Sequence, residues 1–282
     1  MGLDFGLPDV SALEKALPRR FLKPQPAELV SVHLVPHSDV QGVLFDGQPL
    51  VGVPDGELCE SSSPDSQYVS NGRTSRVWAS CTWVKNPFDL WLDLVQRFPS
   101  TGLWPVLSRD GAFDVGDGQV PSETPSDSRA EEILNRSEWP ILPEYFGEER
   151  LAPISIHPRI SPRRPLLADR TCRAHLDIEC CLLLVAVRHP WEVFSVIEGP
   201  YNEKADVVPS WERRFGAVPF TAESAQATLA VLDPPDDRRE AANVAREVST
   251  WCFDFMPDSP PRSMDEAVEL VVSERYWQFW WD

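Results

Sequence analysis

Eight consecutive apolar residues, Cys180 to Val187, constrain the fold of this chain more than any other feature. They lie inside a predicted strand from Asp177 to Arg188, and a strand that is apolar on both faces must be covered on both. The run is far shorter than the roughly 20 residues that a membrane-crossing helix needs. It therefore predicts the central strand of a sheet in a soluble protein.

A second segment resembles the turn at the end of this strand. Val77–Val84 is predicted as a strand, and Asn86 and Pro87 as the cap and first residue of a helix. The segments Val84–Trp91 and Val187–Phe194 agree in residue class over eight positions, 103 residues apart. Such a match is typical of any strand that turns into a helix at a proline. It is also the pattern that an internal duplication into two related strand–helix halves would leave.

The C-terminal third has the most regular pattern. Apolar periodicity and caps predict helices at Ser210–Gly216, Asp237–Phe253 and Ser263–Val272, the last with a capping box of Ser263 and Glu266. A strand is predicted at Ala227–Leu232. Strands mixed with helices in this order predict an α/β (mixed α+β) fold, in which helices cover a central sheet.

Composition divides the chain into three predicted segments. These are a β-rich segment with a long loop (1–76), a first α/β half (77–165) and a C-terminal α/β domain (166–282). The long loop is Pro54 to Arg76. The first half holds a mobile loop from Ser108 to Ala130 and a proline-rich extended connection from Ile141 to Pro165.

The charge balance limits the possible partners. With 26 Lys and Arg against 44 Asp and Glu, the chain has a formal net charge of −18. Proteins that bind nucleic acids or anionic membranes use Lys and Arg to neutralise phosphate, so both classes are disfavoured. A partner protein with a basic surface is favoured. Asp4 stands where a signal peptide needs positive charge, which predicts a cytoplasmic protein.

The cysteines do not predict a disulfide framework or a metal site. Cys180 and Cys181 lie in the apolar strand, where thiols behave as small hydrophobic groups. Cys172 and His175 have a metal-like spacing, but no second close ligand pair comes after them. We therefore predict no metal and no cofactor.

No sequence motif of a known catalytic class occurs, and we predict no catalytic residue. His189 stands at a helix entrance before Pro190. It is interpreted as a cap, with the alternative that its imidazole faces a cleft at the strand end.

The last residues raise a question of binding. In an extended strand Trp277, Phe279 and Trp281 point to one face, and a second set points to the other: Tyr276, Gln278, Trp280 and Asp282. The second face either presents Tyr276 and Trp280 to a partner or ligand, or is buried in a central strand. Trp211 and Arg214, three residues apart on a predicted helix, are likewise either a binding pair or core plus salt bridge.

Carboxylates near these aromatic residues have two interpretations. Asp254, Asp258 and Asp282 could perform acid–base chemistry beside apolar rings. They could equally form a structural salt bridge with Arg213 or Arg214. The candidate binding residues are Trp104, Trp211, Arg214, Asp258, Trp280 and Asp282.

Four further motifs are Thr101–Val106, Trp211–Ala217, Phe255–Asp258 and Trp277–Asp282. Together they resemble a bacterial family called domain of unknown function 4253. The resemblance extends from about Val77 to the end of the chain, and it implies a fold and a bacterial source but no reaction. Met256 stands where the family usually has Cys, so thiol chemistry there is not supported.

These observations support two hypotheses of function. The first is a non-enzymatic, acidic protein-interaction module, for example an immunity- or antitoxin-like protein that covers a basic active site. The second is an enzyme or small-molecule binder at the strand ends, built from His189, Asn202, Asp258, Asp282 and Trp280. The oligomeric state is left open.

Overall fold

The structure is a computed structural model. It describes residues 44–45, 48–49, 53–54, 56–59, 77–80, 82–85, 87–109, 111, 113–116, 123–136, 153–159, 179–252, 254–256 and 260–281. The strands in this part of the chain are β1 (Leu44–Phe45), β2 (Gln48–Pro49), β3 (Gly56–Cys59), β4 (Val77–Ser80), β5 (Val84–Lys85), β6 (Leu103–Ser108), β7 (Asp114–Val115), β8 (Glu179–Ala186), β9 (Ile197–Glu198), β10 (Ala217–Ala222), β11 (Gln226–Val231), β12 (Asp254–Phe255) and β13 (Tyr276–Trp280).

Six α-helices accompany these strands within the same residues. They are α1 (Pro87–Thr101), α2 (Asp127–Arg136), α3 (Val193–Val196), α4 (Val208–Phe215), α5 (Arg238–Trp251) and α6 (Met264–Ser273). Two 3₁₀ helices lie at Pro190–Glu192 and Asn202–Val207. Among the described residues, no helix combines the length and apolar composition that a membrane crossing requires.

A nine-stranded mixed sheet forms the centre of the fold. Eight strands are arranged in the order β12-β13-β11-β10-β6-β8-β4-β3, and β5 pairs with the start of β8. All neighbours are antiparallel except β6 and β10, which run parallel. The apolar strand β8 lies between β6 and β4 and is buried from Cys180 to Val185, which confirms the predicted central strand.

Aromatic side chains fix helices against both faces of this sheet. On one face, Trp91 and Phe98 of α1 pack edge-on against Trp104 of β6. On the other, Trp211 of α4 and Trp251 of α5 pack against Phe279 of β13. The predicted mixed α/β fold, with a central sheet covered by helices, is confirmed.

The helix caps form largely where the sequence predicts them. The Asp237 carboxylate accepts the backbone N–H groups of Arg239 and Glu240 at the start of α5. The Ser263 hydroxyl accepts the N–H of Glu266 at the start of α6, while the Glu266 carboxylate accepts the N–H of Arg262. Asn86, the predicted cap of α1, lies outside the described residues.

The two matching segments both lead from a strand into a helix. The helices differ, because α1 is 15 residues long whereas Pro190 opens a three-residue 3₁₀ helix and then the short α3. The strand directions differ also. β4 and β6 are both antiparallel to β8 and so run parallel to each other, whereas β8 and β10 run in opposite directions. The duplication stays a prediction.

Two predicted loops contain regular structure, contrary to the prediction from their composition. Within Pro54–Arg76, β3 pairs with β4, and Gly56 lies so close to the Trp78 ring that an added Cβ would be 2.1 Å from it. Within Ser108–Ala130, β7 pairs with β9 and α2 begins at Asp127. Both strands are stabilised by pairing with other strands, which local composition does not reveal.

The described part of the proline-rich connection, residues 153–159, is non-helical as predicted. Ile154 and Ile156 are buried, and the Asn135 amide bonds both the N–H and the carbonyl of Ile154. The Arg159 guanidinium donates to the carbonyls of Arg214 and Asp233. This segment therefore ties α2 to the carboxyl end of α4.

The division of the chain into three segments stays a prediction. The main sheet takes strands from each of them: β3 from the first, β4, β5 and β6 from the second, and the others from the third.

Candidate functional site

His189 and Trp280, two residues predicted for the same site, lie at opposite ends of the sheet. His189 comes after the carboxyl end of β8, where Ala186 pairs with Leu103 at the start of β6. Trp280 ends β13 and pairs with Gln226 at the start of β11. Because β8 is antiparallel to β6, its carboxyl end faces away from the end that carries Trp280. The predicted joint site of His189 and Trp280 is therefore wrong.

The end of the sheet with Trp280, named here the Arg109 end, carries a polar cluster. Arg109 comes directly after β6, and its backbone N–H donates to a carboxylate oxygen of Glu223, which comes directly after β10. The Arg109 Nη2 donates to the side-chain oxygen of Gln226. The Glu223 side chain is only 2% exposed, and the Arg109 Nε lies 3.9 Å from its Oε1.

This cluster stands where the two parallel strands β6 and β10 end. In α/β sheets, ligands bind preferentially outside the carboxyl ends of parallel strands. The Tyr201 hydroxyl donates to the Glu223 backbone carbonyl at 3.1 Å, and burial, assisted by the Glu223 charge, raises the pKa of Tyr201. Burial, with a smaller contribution from Glu223, likewise raises the pKa of the Cys180 thiol to about 12. Both shifts favour the neutral thiol and the neutral phenol.

A row of side chains extends from this cluster across three strands. Trp280 pairs directly with Gln226 of β11 on one side and with Asp254 of β12 on the other. Directly opposite residues in antiparallel strands share a face of the sheet, with Cβ atoms about 4.5–5.5 Å apart. Trp280 is 37% exposed, and it and Trp83 are the large apolar side chains that the described part of the chain exposes.

The alternation predicted for the terminal strand agrees with these contacts. Trp277 and Phe279 pack against Trp211, and Trp281 packs against Trp251, all on the face that α4 and α5 cover. Tyr276 points to the other face, but it is fully buried against Phe220. Of the two alternatives for this face, burial therefore applies to Tyr276 and exposure to Trp280.

Trp104, another candidate binding residue, lies in the core. It is 0% exposed, and its indole N–H donates to the Pro219 carbonyl at 2.9 Å, across the parallel pair of strands. A surface contact with a partner would require this side chain to leave the sheet.

Trp211 and Arg214 form the core-plus-salt-bridge arrangement. The carboxylate of Glu247 on α5 accepts the Trp211 indole N–H at 2.8 Å and two N–H groups of the Arg214 guanidinium. The Arg214 side chain is 6% exposed and the Glu247 side chain 0%. Arg213 pairs instead with Asp127 at 2.7 Å. Among the described residues, Glu247 and Asp127 are thus carboxylate partners of Arg214 and Arg213.

Asp258 and Asp282 lie outside the described residues, so their part in a site stays a prediction. Between Asp254 and Asp258, Met256 has a φ of +56°, in the left-handed region that residues other than Gly rarely adopt. Its backbone N–H donates to the Gln278 carbonyl at 2.7 Å. This bond extends the pairing of β12 with β13 through the strained residue.

The opposite end of the sheet holds a second group of titratable side chains. His189 occupies the cap position of the 3₁₀ helix, but its side chain makes no capping bond and instead stacks on Trp191. Burial lowers the pKa of His189, although the Glu192 charge acts in the opposite direction. The Glu192 carboxylate accepts the backbone N–H of Arg188 at 2.8 Å. His189 therefore stands at the predicted cap position, but its side chain does not cap the helix.

Glu212 on α4 belongs to the same end. It accepts a backbone hydrogen bond from Trp191, and its complete burial raises its pKa to about 8. Its Oε2 has no hydrogen-bond partner within the described residues. Asn202, another residue predicted for the site, bonds the N–H of Gly199 and the carbonyls of Phe194 and Ile197, so it closes a turn.

Arg109, Glu223 and Gln226 were not predicted from the sequence. Their positions along the chain were the available indication. Arg109 directly follows the buried strand that ends at Ser108, and Glu223 directly follows the buried strand that ends at Ala222. Their proximity depends on β6 lying beside β10, and these strands are more than a hundred residues apart in sequence.

Within the described residues, no group of three or more His, Cys, Asp or Glu side chains is placed to hold a metal ion. Cys172 and His175, the pair with metal-like spacing, lie outside these residues.

A protein-family model described as a domain of unknown function (DUF4253) matches residues 181–282. The resemblance drawn from the sequence is confirmed for this part, which contains three of the four motifs. The fourth, Thr101–Val106, precedes the match. The comparisons with curated proteins and with solved structures found no match.

Proposed function

We propose that this protein binds another protein that has a basic surface, and that it does so without catalysis. The observation that carries the proposal is the exposed Trp280, which stands directly beside the carboxylate-bearing Asp254 on the sheet. Exposed tryptophans are enriched among the residues that dominate protein interfaces. The formal net charge of −18 supports a basic rather than an acidic partner.

The concrete form of this proposal is an immunity- or antitoxin-like protein of the bacterial cytoplasm. Such a protein covers the basic active site of a partner, and opposite charges accelerate the encounter. Neither a nucleic acid nor a membrane belongs to the proposal, because a strongly acidic chain is repelled by phosphate.

Native mass spectrometry of the protein, purified gently from its host at low salt, tests this function. We expect a second polypeptide of high isoelectric point that dissociates as salt is raised. Trp280→Ala should lose this polypeptide, whereas Trp83→Ala, which removes the other exposed tryptophan of the described residues, should retain it. A chain without any basic partner at low salt would contradict the proposal.

The second candidate is a small-molecule binder or enzyme at the Arg109 end. It is favoured by the Arg109–Glu223–Gln226 cluster beyond the parallel strands. The hydroxyl of Thr221 nearby on β10 is buried and has no hydrogen-bond partner within the described residues. A small bound mass in the same spectra, lost in Arg109→Gln, would favour this function over the first.

A further inference from the structure

We infer that the Trp280 surface is a receptor for an arginine side chain of the partner. The surface is defined here as Trp280 with its two cross-strand neighbours, Gln226 and Asp254. The inference rests on the proposed function and adds to it the position of the contact and the group that is recognised.

The order of side chains in this row fits a guanidinium group. An aromatic ring attracts a cation over its face, and tryptophan does so most strongly. The Cβ atoms of Trp280 and Asp254 are one cross-strand spacing apart, about 5 Å, on the same face of the sheet. A cation bound over the Trp280 ring can therefore also interact with the Asp254 carboxylate.

Gln226 completes the row on the opposite side. Its side-chain oxygen already accepts an N–H from Arg109, so the amide is held in place. Arg109 in turn is bonded through its backbone to the buried Glu223 carboxylate. A side chain that is fixed before binding, as Gln226 is, loses little conformational entropy when a partner binds.

Arginine fits this row better than lysine. Its guanidinium is planar, stacks on aromatic rings and presents several N–H donors in a fixed fork. One edge of that fork can donate to Asp254 while the plane lies on Trp280. An ammonium group offers only a compact point charge at the end of a flexible chain.

Trp83, the other exposed tryptophan among the described residues, is a natural control for this geometry. It is 47% exposed, more than Trp280. Two residues further along the chain, however, Lys85 pairs with the Glu179 carboxylate at 3.2 Å. A cation approaching Trp83 therefore meets a carboxylate that already has a lysine partner.

The test is a titration of the full-length protein, labelled with ¹⁵N at its tryptophan indoles, with blocked Gly–Arg repeat peptides at low salt. Variants at Trp280 and Trp83 assign the indole signals of these two residues. We expect the Trp280 signal to move in a saturable way and the Trp83 signal to stay still. A Gly–Lys peptide of equal length should bind more weakly.

Two variants test the contributions of the Trp280 ring and the Asp254 carboxylate to binding separately. Trp280→Leu keeps an apolar side chain without the indole, and Asp254→Asn keeps the shape without the charge. Each should weaken peptide binding by about five-fold or more, as expected for a cation–π contact and a charge pair of about 1 kcal/mol each. Circular dichroism spectra like that of the unchanged protein would show that both variants are folded.

The outcomes distinguish this inference from the function on which it rests. If the arginine peptide binds while Trp280 is unmoved and both variants bind normally, the receptor assignment is overturned and the proposed function stands. If no basic peptide binds at low salt and native mass spectrometry finds no basic partner, both are overturned.

Discussion

Glu212 is a carboxyl group that the fold buries completely, next to the N-terminus of the 3₁₀ helix at Pro190–Glu192. Burial raises its pKa from 4.5 to about 8, and the charge of Glu192 adds to the effect while Arg213 opposes it. At neutral pH the folded protein therefore holds a proton that the unfolded chain has released. This difference makes stability depend on pH.

We expect Glu212→Gln to flatten that dependence. The stabilisation that the bound proton supplies is complete below pH 4.5 and is lost as the pH rises through about 8. Between these two pH values, each unit of rise in pH lowers the contribution of Glu212 to the free energy of unfolding by about 1.4 kcal/mol. In urea unfolding at pH 5, 7 and 9, the free energy of unfolding of the Gln variant should increase relative to that of the wild type as the pH rises. Parallel curves would contradict the assignment.

The Arg214–Glu247 pair predicts a large effect at a single residue. Glu247→Ala leaves a buried guanidinium without its carboxylate and should cost about 3–5 kcal/mol of unfolding free energy. The exposed pair Arg238–Asp265 is the matched control, and Asp265→Ala should cost less than about 1 kcal/mol. Equal losses in chemical denaturation would show that burial does not govern these pairs.

At the scale of elements, two helices enter parallel strands through the same turn. Gly102 comes directly after α1 and before β6, and Gly216 comes directly after α4 and before β10, with φ values of +66° and +64°. Residues with a Cβ rarely adopt this conformation, so glycine terminates each helix and redirects the chain into the sheet.

Replacing these glycines by alanine should have unequal effects. At Gly216 an added Cβ would lie 3.0 Å from the Cβ of Leu232, whereas at Gly102 the nearest atom is 3.9 Å away. Both variants carry a conformational cost of about 1–2 kcal/mol. Gly216→Ala adds a steric cost, so its melting temperature should be the lower of the two. The reverse order would contradict the crowding at Gly216.

The elements that the sequence predicted are those with strong local patterns. β8 was recognisable from its apolar run, and α5 and α6 from their caps at Asp237 and Ser263. β3 was missed because four residues with no alternation become a strand only by pairing with β4. Trp280 was predicted as a binding residue, but Arg109 and Glu223 were not, because their proximity depends on the order of strands in the sheet.

For the whole molecule, the region matched by the family model is not a structural unit by itself. Residues 181–282 include β10 and nearly all of β8, but β6, which lies between those strands, is at Leu103–Ser108. Without β6 the two strands have unpaired edges, and Trp104 no longer fills the core between them.

An isolated fragment of residues 181–282 should therefore fail to fold cooperatively. We expect no sharp thermal transition and a weak near-ultraviolet circular dichroism signal, although the fragment contains most of the tryptophans. Co-expression with residues 1–180 should restore both. A stable fragment with a cooperative transition would show that β6 is dispensable.

The central claim is that an acidic molecule binds a basic protein through Trp280, and the rate constants for that partner, measured against ionic strength, test it most directly. Long-range attraction governs association, so the association rate constant should fall steeply with salt, and equally, for the wild type and Trp280→Ala. Loss of the indole should raise the dissociation rate constant about tenfold or more, whereas Trp83→Ala should change neither rate. An association rate insensitive to salt, or equal effects of the two tryptophan variants, would contradict the account.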